Sequence, residues 1–369
     1  MDETREIRRI AINTGGGDAP GLNAVIRAIV LSAVNRGWEV VGIEHGYGGL
    51  LPDDAGELIP LGGDAVRGIT HRGGTILGTT NRSNPFAWPA RLPDGTIEAR
   101  DRSGEIIESV RRHGIDALIA IGGDGSLHIA LKLFEQGLPV VGVPKTIDND
   151  LHGTSLTFGF LTAVETATDA IGKLHSTAES HRRVMVVELM GRHAGWIALY
   201  SGLAGTADVI LIPEIPYQIE KVCDKIRERE AAGRDFSIVC VAEGAVPVGG
   251  AAVLKTVHGG SGDQTRLGGL GHLVAREISS RTGKETRSIV LGHLQRGGAP
   301  ISYDRVMSLR FGAAAVRCVA RGEFGTMVGL DPPRVKAISL MEALATRKSV
   351  PVDGDIVATA RDLGVSFGD

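Results

Sequence analysis

Short apolar runs rich in β-branched residues alternate along the chain with segments whose apolar residues recur every three or four positions. The first pattern is that of a buried strand, the second that of a helix with one apolar face. Residues 9–14, RIAINT, predict a strand; Leu22, Val25, Ile26, Ile29, Val30 and Ala33 then share one helical face, which Gly37 ends. Further strands are predicted over 39–43, 115–121, 138–144, 183–189, 208–212, 237–242 and 288–291. Helices are predicted over 106–113, 127–136, from 161 onward, 193–203, 218–229, 270–281 and 303–321. The run IDALIAI over 115–121 is apolar on both faces, as a central parallel strand is. Residues 98–103 read as a surface connection, 248–269 as a long loop or small insertion, and the tail from Lys336 carries no clear pattern. The repeated strand, glycine turn and helix predict an α/β fold of two similar lobes, each a mainly parallel sheet with helices on both faces, the two sheets facing one cleft.

Composition narrows the class. Of 369 residues, 43% are hydrophobic and 22% charged, the balance of a soluble globular protein. Aromatics make up only 4%, so the cores must be aliphatic. Forty Lys and Arg stand against 43 Asp and Glu, and no dense basic run tracks a nucleic-acid backbone. The start, MDETREIRRIAI, is charged with no apolar stretch behind it, and no apolar run approaches the ~20 residues of a membrane span. A cytoplasmic protein is expected, with neither nucleic acid nor membrane as partner. Cys223, Cys240 and Cys318 are widely spaced in apolar or helical contexts and read as reduced packing residues. Fifty-two glycines mark turns where backbone must approach something closely.

The chemistry concentrates at strand ends. In LPVVGVPKTIDND, over 138–150, Pro139 opens an apolar run that Pro144 stops, delivering Thr146, Asp148 and Asp150 to the carboxyl end of a strand. Open α/β sheets bind ligands there. Asp148 is the candidate base for a substrate hydroxyl, and Lys145 a cation able to neutralise charge on a transferring phosphoryl group. Gly122, Gly123, Asp124, Gly125 and Ser126 follow the central strand; their backbone and the Ser126 hydroxyl can wrap phosphates, while Asp124 can hold magnesium. A second anion site is the turn from Gly15 to Gly21 before its helix. Tyr47 lies in a loop too glycine-rich to bury it, and Arg82 follows hydroxyl residues in GTTNR, a composition suited to a phosphate oxygen. Each feature alone has a plainer structural explanation: a polar loop satisfying its own backbone, a turn that lets strand pack on helix, a solvated arginine. Together with Arg183, Arg192, Arg287 and Arg296 they suit two anionic ligands, and phosphoryl transfer to a sugar phosphate fits best.

The motifs GGDAPGLNAVIR, GGDGS, PKTIDND, SHRRVMVVELMGR and GKETRSIVLGHLQRGG, in this order over nearly the whole chain, resemble the 6-phosphofructokinase family. The resemblance implies transfer of a phosphoryl group from ATP to the 1-hydroxyl of fructose 6-phosphate. It casts Asp148 as base, Thr146, Lys145 and Arg192 as its catalytic companions, and Asp124 as the Mg2+ ligand. It implies sugar-phosphate contacts from Thr146, Ile147, Asp148, Arg183, Met190, Gly191, Arg192, Glu243, Arg287, His293, Leu294, Gln295 and Arg296. Donor contacts are implied for Gly16, Gly17, Tyr47, Arg82, Gly123, Asp124, Gly125 and Ser126. The donor lobe is expected over 1–155 with about 292–340, the sugar-phosphate lobe over about 156–291 with 341–369. In the family, the residues matching Arg183 and Arg287 reach the site from a neighbouring subunit, so self-association is expected, as a homotetramer or a homodimer. Lys145 before the TIDND threonine resembles the pyrophosphate-dependent branch, whereas Gly125 after GGD resembles the ATP enzymes; the pair resembles the family's mixed group. A pyrophosphate-dependent enzyme is therefore the alternative, and a non-catalytic sugar-phosphate sensor a second one, opposed by the presence of both Asp148 and Asp124. GTTNR is also one residue longer than the family's usual loop, which bears on the role of Arg82.

Overall fold

The computed structural model describes residues 6–54, 56–91, 94–251, 254–257 and 264–369. The chain divides into two compact units. The first comprises Met1–Ile147, Leu151–Leu161 and Arg296–Arg347; the second comprises Asp148–Asp150, Thr162–Gln295 and Lys348–Asp369. The units divide after residues 147, 150, 161, 295 and 347. The sequence reading had no counterpart for the three residues Asp148–Asp150, which leave the first unit in mid-motif.

The first unit is built on a seven-stranded sheet in the order Arg334–Ser339, Thr326–Asp331, Val140–Pro144, Ala117–Gly122, Arg9–Thr14, Glu39–Ile43, Leu58–Pro60. Its five inner strands are parallel, and each edge strand is antiparallel. Ala117–Gly122 is central and buried throughout, because its apolar residues serve two faces. On one face Ile10, Ile12, Ile119, Ile121, Val141 and Val143 pack against Leu22, Val25, Ile26 and Ile29 of helix Leu22–Val34 and Met307, Phe311 and Ala315 of helix Ser302–Ala320. The alternate residues Ala11, Leu118, Ala120 and Val140 face Ile106 and Val110 of helix Ser103–Arg112 and Ala130 and Leu133 of helix Asp124–Glu135. Period-two alternation, invisible in strands apolar on both sides, reappears as a division between two cores.

The second unit carries a four-stranded, wholly parallel sheet in the order Thr286–Val290, Val184–Leu189, Ser237–Ala242, Val209–Leu211. Val184, Val186, Val239 and Val241 pack on Val222 and Ile226 of helix Ile219–Ala231 and on Val274 and Ile278 of helix Leu270–Thr282. Helix Trp196–Ala204 lies on the other face, where Gly202 lets it approach Ile210 and Cys240. The three cysteines are free and buried.

One reading needs correction, and two left open are filled in. Residues 98–103 are not a plain connection: Ile97–Arg100 pairs antiparallel with Trp88–Arg91. Within 248–269, Leu254–Val257 and Gln264–Leu267 form an antiparallel hairpin, while 252–253 and 258–263 lie outside the described residues. The tail from Lys336 holds the rest of the edge strand and helices Leu340–Ala345 and Asp355–Asp362.

Candidate active site

Three adjacent parallel strands of the first unit, Arg9–Thr14, Ala117–Gly122 and Val140–Pro144, end side by side, so their loops meet. The ladder continues into the loops: the Gly15 amide donates to the Ile121 carbonyl at 3.0 Å, and the Lys145 amide to that of Gly122 at 2.8 Å. Helix Asp124–Glu135 begins three residues earlier than its apolar pattern suggests, so Asp124, Gly125 and Ser126 form its first turn rather than a loop. That places free amides and the positive end of the helix dipole at the motif. Ser126 wedges between the two glycine turns: a Cβ at Gly15 would lie 2.7 Å from Ser126 Oγ, and one at Gly122 only 2.2 Å from Ser126 Cβ. Both positions need glycine for this close approach.

The buried ammonium of Lys145 donates to the Gly17 carbonyl and lies 3.3 Å from where a Gly16 Cβ would stand. Arg296 closes the other side, donating to the Asp18 carbonyl at 3.0 Å with its guanidinium against Gly17. Thr157 donates to the Thr146 carbonyl at 2.6 Å, fixing the start of the TIDND loop. Gly125 differs from its neighbours, since no atom stands within 4 Å of the position its Cβ would take. Asp124 holds Oδ2 3.3 Å from the Arg347 guanidinium and Oδ1 3.5 Å from His128 Nδ1.

In the second unit, the carboxyl ends of Val184–Leu189 and Ser237–Ala242 and the residues after Thr286–Val290 bring together Met190, Gly191, Arg192, Glu243 and His293 to Gln295. The Glu243 amide donates to the Leu189 carbonyl at 2.9 Å, and the Gly244 amide to that of Gly191 at 3.1 Å. Arg192, His293 and Leu294 are exposed and Met190 and Glu243 partly so. Arg183 and Arg287 are not among them. Arg183 precedes its strand, and Arg287 pairs with Met185, one residue inside it. Both therefore sit toward the amino end, roughly 13 Å (Arg287) and roughly 20 Å (Arg183) along the sheet from Leu189 at the rise of a parallel strand. There they share Glu285, at 3.3 Å and 2.9 Å.

Of the residues expected to face ligands, Lys145, Thr146 and Gly191 are buried at the strand ends, and Tyr47, Ile147 and Gln295 are buried among other residues. Tyr47, expected in an open loop, is 4% exposed and packs with Ile43, Leu50, Leu51 and Trp88; burial pushes its hydroxyl well above the usual tyrosine range. Its loop coils into the short helical turn Gly48–Leu50, which covers the ring. Ile147 is fully buried, so its side chain packs within the loop. Gln295 is likewise buried, its amide spent on the Met190 amide at 3.3 Å and the Gly292 carbonyl at 3.1 Å, which makes it a brace between two loops. Arg82 is exposed beside Asn81, whose Oδ1 stands nearer the first glycine turn, 3.9 Å from the Gly16 Cβ position.

Arg347 and Lys348, which no sequence pattern marks, also meet the strand-end loops. Lys348 lies at the DND turn: its amide donates to the Asp150 carbonyl and its ammonium to Asn149 Oδ1, each at 2.9 Å. Burial lowers the ammonium to about 8, with Asp150 opposing the shift.

The family described as phosphofructokinase matches residues 9–319. The chain is 52% identical over 362 residues to an ATP-dependent 6-phosphofructokinase of Chloroflexus aggregans, covering 98% of each. It is also 52% identical over 344 residues to a pyrophosphate–fructose 6-phosphate 1-phosphotransferase of Amycolatopsis methanolica, covering 93% of this chain and 96% of that one. The phosphofructokinase structure from Saccharomyces cerevisiae superposes with a TM-score of 0.76 at 30% identity, over 98% of this chain and 48% of the yeast chain.

Proposed function

The chain belongs to the phosphofructokinase family, and we propose that it transfers a phosphoryl group from ATP to the 1-hydroxyl of fructose 6-phosphate. The open space at Gly125 carries the choice of donor: nothing stands within 4 Å of its Cβ position, so the first turn of helix Asp124–Glu135 leaves room beside the phosphates for the rest of a nucleotide. Lys145 and Ser126 converge on the same glycine turns and supply a cation and a hydroxyl for the transferring end. Asp148 takes the proton of the sugar hydroxyl, while Thr146 and Arg192 steady the phosphoryl group and its charge. Met190, Glu243, His293 and Arg296 hold the sugar phosphate.

A magnesium ion fits the donor side. Asp124 offers one partly exposed carboxylate at a helix start, and magnesium is held by one or two carboxylates completed by donor phosphate oxygens and water. When bound it neutralises charge on the transferring group. Arg183 and Arg287, at the far end of their sheet from Met190 and Glu243, would complete a neighbouring copy's site, which makes the working form an oligomer, a homotetramer in our reading. Among the described residues no helix is long and apolar enough to cross a membrane.

Lys145 and the Amycolatopsis relative favour a second reading, with pyrophosphate as donor. A coupled assay with ATP or pyrophosphate at equal magnesium separates the two. Turnover with ATP is expected, and turnover with pyrophosphate alone would overturn this choice of donor.

A further inference from the structure

Asn149 lies between the candidate base Asp148 and Asp150, and its backbone is left-handed, with φ of 52°. Asparagine takes this conformation more readily than most residues, and here its surroundings hold it in place. Asn149 is buried, and its side-chain oxygen accepts from the Lys348 ammonium at 2.9 Å. The lysine's own backbone is held from both directions: its amide donates to the Asp150 carbonyl at 2.9 Å, and its carbonyl accepts from Trp196 Nε1 at 3.1 Å. The Trp196 ring lies 5.5 Å from the ammonium, so the indole grips the same residue twice. Two residues on, the Val350 amide donates to Glu214 at 2.9 Å, and the same carboxylate accepts from the Gly195 amide just before helix Trp196–Ala204. The chain around Lys348 is thus a strap anchored on that helix, with a cation aimed at the DND turn.

We propose that Lys348 is a positioning residue for phosphoryl transfer: by holding the Asn149 carboxamide it fixes the left-handed turn and so presents Asp148 to the sugar hydroxyl in one orientation. This rests on the reading of Asp148 as the base. A strap with a purely structural purpose would not need a buried ammonium, whose desolvation is costly; a leucine or methionine would pack as well. A cation placed to reach the Asn149 carboxamide oxygen, beside the Asp150 charge, explains why a lysine stands there.

The test is a double-mutant cycle on the full-length enzyme with saturating donor and fructose 6-phosphate, using whichever donor the wild type turns over. Wild-type turnover checks the parent reading separately. Lys348→Met is expected to lower kcat roughly 10- to 100-fold, the scale of a small misplacement of a catalytic group, with KM for fructose 6-phosphate within about twofold of wild type. Asn149→Gly, which keeps access to the left-handed region, is expected to be slower as well. If Lys348 acts through Asn149, the double variant is no slower than the slower single variant, within about twofold. Lys348→Gln, which retains a donor without the charge, is expected to recover part of the loss, and it serves should the methionine variant fold poorly. Multiplicative losses in the cycle, or a glutamine variant as slow as the methionine variant with its fold intact, would overturn the proposal.

Discussion

The guanidinium of Arg347 stands 3.3 Å from Asp124 Oδ2, the carboxylate assigned to magnesium. Asp124 opens a helix and Arg347 follows the last helix of the same unit, so a cation of the protein occupies part of the carboxylate's coordination space. A partly exposed pair of this kind contributes about 0.2–1 kcal/mol, which a metal must overcome to take the oxygen. Arg347→Gln is therefore expected to lower the magnesium concentration giving half-maximal rate, by about 1.4- to 5-fold. Titrating magnesium at fixed donor checks this. A rise in that concentration would mean that Arg347 gives more to the donor phosphates than it takes from the metal.

Asp148→Asn should keep the fold and the binding of fructose 6-phosphate while lowering turnover roughly 10²-fold or more, because it removes only the proton acceptor. Asp148 is half-buried at the loop that the Thr157 hydroxyl fixes through the Thr146 carbonyl, so an amide of the same shape can take its place. Steady-state kinetics with a parallel sugar-phosphate binding measurement decide the matter. Near wild-type turnover would remove Asp148 from the role of base.

What the sequence disclosed follows a physical line. Strands buried on both faces, such as Ala117–Gly122, and one-faced helices, such as Leu22–Val34, announce themselves through composition and period. The turns that join them therefore fall where the pattern puts them, Gly16 and Gly17 after one strand and Lys145 after another. The start of helix Asp124–Glu135 does not, because an acid, a glycine and a serine carry no apolar period, although an acid in the first turn is a familiar helix start. Tyr47 shows that glycine content predicts backbone freedom, not exposure; beyond the adjacent Leu50 and Leu51, its ring joins a core that includes Trp88 and Ile106, distant in sequence and invisible to any local pattern. Lys348 was out of reach for the same reason, since it meets Asn149 across 199 residues of sequence.

Lys348 also makes a pH-dependent contribution to stability. Its ammonium is lowered by burial from 10.5 to about 8, so the folded state releases a proton that the unfolded chain keeps. Below pH ~8 the fold carries a charged lysine at a cost of about 3 kcal/mol; that cost falls as pH rises from about 8 to 10.5, and above it both states are neutral. Lys348→Met abolishes this dependence, while loss of the donor to Asn149 costs about 1–3 kcal/mol at every pH. Denaturant melts of both proteins at pH 7, 9 and 10.5 are expected to show the stability of the wild type gaining on that of the variant as pH rises. Parallel stabilities across that window would mean that the ammonium is not desolvated in the folded protein.

In the proposed function the donor is chosen at Gly125. It is the second residue of helix Asp124–Glu135, and the position of its Cβ is open, so an aspartate there meets no steric obstacle. A second acid in the first turn also suits the helix dipole, which leaves the fold unharmed. The substitution thus isolates one effect, a carboxylate projecting from the phosphate-cradling turn toward the space a nucleotide would occupy. Two like charges about 4 Å apart repel by roughly 4 kcal/mol at an effective dielectric near 20, enough to cost some three orders of magnitude in affinity. Pyrophosphate, which ends where the nucleotide's further phosphate would begin, escapes most of that repulsion. Lys145, a point cation already tied to the Gly17 carbonyl, serves either donor. Gly125→Asp is expected to lower kcat/KM for ATP by about 10²-fold or more, somewhat below the Coulomb limit because water and magnesium screen the pair, and to lower any pyrophosphate-supported rate far less. Equal losses with both donors, or a wild type that ignores ATP, would show that donor choice is not made at this residue.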